Sequence, residues 1–248
     1  MRRFIFAQTL RLASTSNVED TTMIKAVIFD LDGTVASFNI DYKSVRADVR
    51  SFLMKQGLPP SLLSPNESMF EMLNKAEIFL KNNGKPEKAF ANIRAKASEI
   101  AEKYELEAAR TTSLLPGVLD TLKTLKKMGL RMGLCTVNSQ RSAEYVLKRF
   151  KISEFFDTVK PRDSVKYVKP NVEHLEAVLN DLKVNPEEGV VVGDGVGDMK
   201  CARELKVVAV GLLAGVSAPK QLMDAGANYL ITSITDLPSI IQHLNASS

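Results

Sequence analysis

Ala26-Val27-Ile28-Phe29-Asp30-Leu31-Asp32-Gly33-Thr34 is the stretch on which the reading of the chain turns. Its apolar run, rich in Val, Ile and Phe and ended by a glycine turn, has the pattern of a strand buried in a parallel sheet. Two carboxylates follow at the carboxyl end of that strand, the edge at which open α/β sheets bind ligands. Asp30 and Asp32, one residue apart, repel each other and are costly to desolvate unless a cation or a proton separates them. A hydrated Mg²⁺ held by one or two carboxylates meets that need, commonly beside a substrate phosphate. Asp-x-Asp also occurs in surface loops and Ca²⁺ sites, so the reading depends on what the rest of the chain supplies.

Downstream of this stretch the pattern changes twice. Across 39–112 the apolar residues recur at helical spacing: Val45, Val49, Phe52 and Leu53, then Met69, Phe70, Leu73, Ile78 and Leu80, then Phe90, Ile93, Ala97, Ile100 and Tyr104. Pro59-Pro60 and Asn83-Gly84 separate the three runs, and no strand-like alternation interrupts them. The segment reads as a small all-helical domain inserted after the first strand, a lid over the site, whose apolar stripes are its own core. From 113 onward helical and strand patterns alternate. Strands are expected at 131–137, 155–159, 189–193, 207–210 and near 229, with helices at 117–128, 140–150, 172–182, through 205 and to 244. This alternation predicts an α/β fold, a doubly wound parallel sheet built from 23–38 and 113–248.

Composition narrows the function classes. The 248 residues carry a net charge of +4 spread along the chain, with no block of like charge to support nucleic-acid binding. No apolar run approaches the roughly 20 residues needed to span a bilayer. Cys135 and Cys201 are far apart and outside any Cys-x-x-Cys spacing, so they read as buried reduced thiols. Residues 1–22 have no obvious place in the fold. Arg2, Arg3 and Arg11 among apolar residues, with no acid before Glu19, have the composition of a mitochondrial transit peptide. The preferred alternative is a disordered leader or an upstream start, with Met23 as the functional start. The protein is accordingly expected in the cytoplasm, or in the mitochondrial matrix if 1–22 is a targeting segment.

Three further places carry chemistry. Thr136 ends a core strand where the next helix begins, so its hydroxyl and the N–H of Val137 or Asn138 suit an anion, although a Thr there also serves as a helix cap. Lys169, in Val168-Lys169-Pro170, precedes a helix whose dipole disfavours a cation, which calls for an anion or carboxylate to neutralise it. Asp194 leaves the buried strand Gly189-Val190-Val191-Val192-Gly193 in a glycine-rich loop, with Asp198 four residues on. The pair can bind a metal directly or through water, and Asp194 alone would read as an N-cap. His174 and His243 fit no metal spacing and read as ordinary surface or helix residues.

Taken in order, Asp-Leu-Asp-Gly-Thr, Thr136, Lys169-Pro170 and Gly-Asp-x-x-x-Asp resemble the four motifs of the haloacid dehalogenase-like hydrolases, from about Lys25 to the end of the chain. Most members of that family are Mg²⁺-dependent phosphatases. The resemblance implies Asp30 as nucleophile and Asp32 as general acid/base. It implies Gly33, Thr136, Val137, Asn138 and Lys169 as phosphate-binding, and Asp30, Asp32, Asp194 and Asp198 as the Mg²⁺ site. The helical insert resembles the cap of the phosphoglycolate phosphatase and β-phosphoglucomutase branch. One departure stands out: members near phosphoglycolate phosphatase often continue with Leu-Val-Asp-Ser, where this chain has Val35-Ala36-Ser37-Phe38. Arg46, Lys43 and Tyr42 are candidates for a substrate's second anionic group, or else a solvated helix face.

The implied function is hydrolysis of a small phosphomonoester, phosphoglycolate-like, through an aspartyl-phosphate. The implied partner is a small phosphorylated metabolite, with no nucleic acid and no membrane, and the chain acts as a monomer or homodimer. A β-phosphoglucomutase-type phosphomutase differs only in what accepts the phosphoryl group and stays open. A catalytically inactive binding module of the same fold would be expected to lack at least one of the six polar residues.

Overall fold

The computed structural model describes residues 23–246. The two readings of 1–22 fall outside the described residues. After the short strand β1 (Ala26–Phe29) the chain forms three helices, α1 (Tyr42–Lys55), α2 (Met69–Asn82) and α3 (Glu87–Thr111). It then alternates: α4 (Val118–Lys127), β2 (Arg131–Cys135), α5 (Gln140–Arg149), β3 (Thr158–Lys160), α6 (Val172–Leu182), β4 (Gly189–Gly193), α7 (Val196–Leu205), β5 (Val208–Leu212), α8 (Pro219–Ala225), β6 (Tyr229–Ile231) and α9 (Leu237–Ala246). None of the described helices is long and apolar enough to cross a membrane.

The six strands form one parallel sheet in the order β3-β2-β1-β4-β5-β6. β1 is central, and the chain builds outward from it first through β2 and β3, then through β4 to β6. Such a reversal opens a crevice beyond the carboxyl ends of the central strands. Register aligns those ends, because Phe29 stands opposite both Leu134 and Val192. Side chains alternate between faces. Ala26 and Ile28 join Val191 and Ala209 in a core with Leu175, Val178 and Leu179 of α6, Met199 and Ala202 of α7 and Leu222 of α8. Phe29 meets the Phe156 ring edge-on at 6.1 Å between centroids.

The described residues fall into two compact units, one being Asn39–Thr111 and the other the α/β remainder. In the helical unit Val45, Val49 and Leu53 repeat every four residues along α1. Met69, Met72, Leu73 and Ala76 do the same service on α2, and Ile93, Ala97 and Ala101 on α3. The alanines let α3 come close to its neighbours. Ser68 opens α2 with a capping box, its Oγ accepting from Glu71 N at 3.2 Å while Ser68 N donates to Glu71 Oε2 at 2.7 Å.

Four local expectations shift, the first being the strand expected at 131–137, which ends at Cys135. The strand expected at 155–159 is β3 (Thr158–Lys160), because Phe155 belongs to a 3₁₀ turn, Ser153–Phe155, and packs as a buried anchor. β5 runs on to Leu212, past the expected end at 210. α8 was not expected. Seven residues are too few for a periodic signal, and its only marks are Pro219 in the first turn and Gly226 at φ 119° after the last.

Candidate active site

The chain leaves β1 under tight backbone control. Asp30 N donates to Val192 O at 2.9 Å, so Asp30 is still held by β4. The turn then closes on Leu31 O, which accepts from Val35 N and Ala36 N, each at 2.9 Å. Gly33 sits at φ +81°, where a side chain is strained. A Cβ there would also lie 2.5 Å from Asp194 Oδ2, and one on Gly215, past the end of β5, only 1.7 Å from the same atom. Two bare backbones therefore flank the Asp194 carboxylate. Val216 N donates to its Oδ2 at 2.9 Å and Thr34 Oγ1 to its Oδ1 at 3.4 Å.

Asp30, Asp194 and Asp198 converge, each offering an oxygen within 4.8 Å of the others. Lys169 reaches into them. Its Nζ donates to Asp30 Oδ1 at 2.8 Å, to Asp198 Oδ1 at 2.5 Å and to Cys135 O at 2.7 Å. Water is largely excluded: the side chains of Lys169 and Asp198 are 7% and 5% exposed, and that of Asp30 13%. Burial alone would discharge the lysine, but the neighbouring Asp198 and Asp30 carboxylates hold its pKa well above the ordinary value. Burial, then the charges of Asp30 and Asp198, push Asp194 up to about 7. Asp198 rises to about 6 because burial outweighs the adjacent Lys169 ammonium. Three carboxylates against one ammonium leave two negative charges, the deficit that a divalent cation would balance. The residues present fit a hard divalent cation such as Mg²⁺.

The other expected residues are placed differently. Asp32, expected as a fourth metal ligand, is not in the carboxylate group; the turn pairs it with Ala36 and its Oδ2 accepts from Asn138 Nδ2 at 2.5 Å. Gly33, expected to offer its N–H to phosphate, donates it to Ala36 O at 2.7 Å to close the turn. The N–H of Asn138 likewise goes to Thr136 Oγ1 at 3.2 Å, and Asn138 enters the site through its side-chain amide instead. Thr136 is buried at the end of β2, and Val137 lies beside it with its carbonyl accepting from Arg162 at 3.2 Å. Arg46 is half-buried on α1 with its Nε buried and without a hydrogen-bond partner, while Lys43 is exposed and Tyr42 half-buried. Cys135 and Cys201 are free and buried, as expected.

Two features were missed. His174, expected as an ordinary surface or helix residue, does lie in α6, but it is completely buried. Its position in the first turn after Lys169-Pro170 was the available signal. The loop after β5 was also passed over, although Gly215 follows a buried strand at the same sheet edge as Asp194.

The haloacid dehalogenase-like hydrolase family model matches residues 27–212. Pyrophosphatase PpaX of Bacillus anthracis is 26% identical over 230 residues, covering 90% of this chain and 99% of that protein. Among solved structures, β-phosphoglucomutase from Clostridium difficile superposes with a TM-score of 0.63 at 22% identity, covering 91% of this chain and 98% of that one. A predicted phosphoglycolate phosphatase from Haemophilus somnus gives 0.59 at 19% identity, covering 88% and 97%. At these identities the two structures speak to the fold.

Proposed function

The chain belongs to the haloacid dehalogenase-like hydrolases, and on that premise we propose that it is an Mg²⁺-dependent phosphatase acting on a small phosphomonoester. The observation that carries the reading is the convergence of Asp30, Asp194 and Asp198 around the Lys169 ammonium at the end of the central strand. Asp30, Asp194 and Asp198 would hold the cation, which when bound screens the anionic nucleophile from the anionic substrate and polarises the phosphoryl oxygens.

The residues divide the work. Asp30 attacks phosphorus through a carboxylate oxygen, forming the aspartyl-phosphate as the bond to the leaving oxygen breaks. Asp32 gives its proton to the leaving alkoxide, then takes one from the water that attacks phosphorus. That second displacement frees phosphate and restores Asp30. The Asn138 amide, donating to Asp32 Oδ2, orients the acid/base. Lys169, the Thr136 hydroxyl and the Val137 N–H hold the phosphoryl oxygens as their charge redistributes.

The substrate is phosphoglycolate-like in the first reading. The match to a named pyrophosphatase supports inorganic pyrophosphate as a second. The test is phosphate release from phosphoglycolate, sugar phosphates, nucleoside monophosphates and pyrophosphate, each with Mg²⁺ and with EDTA. Release that needs Mg²⁺ supports the proposal, and the ranking of the panel separates the two substrate readings. Folded protein that binds Mg²⁺ yet releases nothing would sink simple hydrolysis and turn attention to phosphoryl transfer between sugars.

A further inference from the structure

His174 stands in the first turn of α6 with its ring fully buried. Its Nε2 is 3.0 Å from Lys160 O, and its Nδ1 is 3.4 Å from the backbone N of Lys169. A carbonyl only accepts and an amide N–H only donates, so the two partners select one tautomer: Nε2 carries the hydrogen and Nδ1 is bare. The neutral ring satisfies both partners. A charged ring would set one N–H against another, and burial together with the nearby Lys169 ammonium pulls the imidazole down to about 4.

The two backbone groups matter because of what they carry. Lys160 O also accepts from Thr136 N at 3.0 Å, closing the end of β2 against β3. Thr136 and Lys169 come from segments more than thirty residues apart. One carbonyl and one imidazole link them in a line: Thr136 N–H, Lys160 O, His174 ring, Lys169 N–H. At the far end the Lys169 ammonium meets three acceptors at 2.5 to 2.8 Å, a geometry that a backbone shift of about 1 Å would break.

We propose that His174 is a positioning residue which fixes the Lys169 backbone against the Thr136 turn and so sets where the ammonium meets Asp30 and Asp198. This rests on the phosphatase reading. An apolar side chain would fill the same volume without the cost of burying two ring nitrogens, so the imidazole's use is in its two hydrogen bonds.

The test compares His174→Leu, His174→Asn and His174→Gln in the full-length protein with Mg²⁺, on the best substrate of the panel. Leu removes both bonds. Asn presents its Oδ1 where Nδ1 stood and restores the acceptor for Lys169 N–H. Gln reaches Lys160 instead and leaves that acceptor missing. His174→Leu is expected to lower kcat roughly 10- to 100-fold with KM within about threefold. His174→Asn should recover most of the loss and His174→Gln much less, whatever the order of their melting temperatures. Wild-type kcat in His174→Leu would overturn the proposal. If His174→Leu does not fold, equal kcat in the Asn and Gln variants overturns it.

Failure of the phosphatase reading is separately visible, as no turnover by the wild type. In that case binding of inorganic phosphate in the presence of Mg²⁺, measured by calorimetry, replaces kcat. The Gln variant should bind about tenfold more weakly than the Asn variant. Equal affinities, or no phosphate binding by the wild type, would overturn the positioning role.

Discussion

The helical unit and the carboxyl edge of the sheet fill their interiors in opposite ways. Between Asn39 and Thr111 the buried side chains are Val, Leu, Ile, Met and Ala, with Glu105 the sole buried ionisable group. Along the sheet edge Thr34, Thr136, Asn138, Ser139, His174, Asp194 and Asp198 are all buried. Apolar burial stabilises by about 25 cal/mol per Å², whereas a desolvated carboxylate is a cost that its partners only partly offset. The helical unit is built to be stable. The edge keeps groups that work against stability, and active sites are where such conflicts are expected.

The largest effect should come from breaking the edge at its centre. Asp30→Asn is expected to lower Mg²⁺-dependent phosphate release at least ~1000-fold. The melting temperature should be unchanged or higher, since one of three mutually repelling carboxylates is gone. A large loss of melting temperature would mean that Asp30 supports the fold rather than the chemistry. The helical unit should behave in the converse way. Leu53, with no exposed surface, should cost about 2–5 kcal/mol when replaced by Ala, read from denaturant unfolding. A cost below ~1 kcal/mol would show that the α1 stripe is not the packed core it is taken to be.

These two regions were also unequally legible in the sequence. The sheet was readable because β1 and β4 are short continuous apolar runs ended by Gly and Asp, and the helical unit because Val45, Val49 and Leu53 keep a strict period. Four of the chemical residues, Asp30, Lys169, Asp194 and Asp198, could be named because each leaves a strand or precedes a helix at one edge. What escaped was tertiary. Nothing local says that Gly33 N–H will close its own turn, or that Asn138 will reach Asp32, 106 residues away. His174 looked ordinary because its two partners are backbone groups, which leave no mark in a sequence. α8 was too short to show a period.

An edge built of buried carboxylates should also depend on pH where an apolar core does not. Asp194 and Asp198 have folded pKa values of about 7 and about 6, both raised from the ordinary value of 3.8. The folded protein therefore binds more protons than the unfolded chain between about pH 4 and 7. Their contribution is fully present below pH ~4 and is lost as pH rises through the folded values. In EDTA this component of stability should fall from pH 5 to pH 8. On the proposed function Mg²⁺ would bind the ionised carboxylates, so its stabilising increment should grow over the same range, reaching about 2.7 kcal/mol at a hundred times its Kd. The check is a set of thermal melts at pH 5 and pH 8, with and without Mg²⁺. An increment that is equal at the two pH values would detach these two acids from metal binding.

The smallest effect sharpens the comparison through glycine. Gly84 follows α2 at φ +67°, and a Cβ there would meet nothing within 4 Å. Its need is conformational alone, because a left-handed residue with a side chain costs roughly 1–2 kcal/mol. Gly215 has the opposite need, since a Cβ would lie 1.7 Å from Asp194 Oδ2. Gly84→Ala should therefore lower stability by about 1 kcal/mol and leave Mg²⁺ affinity unchanged. Gly215→Ala should weaken Mg²⁺ binding by roughly tenfold or more, by displacing the Asp194 carboxylate. Calorimetric titration of both variants separates the cases. If Gly215→Ala bound Mg²⁺ like the wild type, the backbone at Gly215 would not be what holds Asp194 in place, and the edge would owe its shape to the Val216 and Thr34 hydrogen bonds instead.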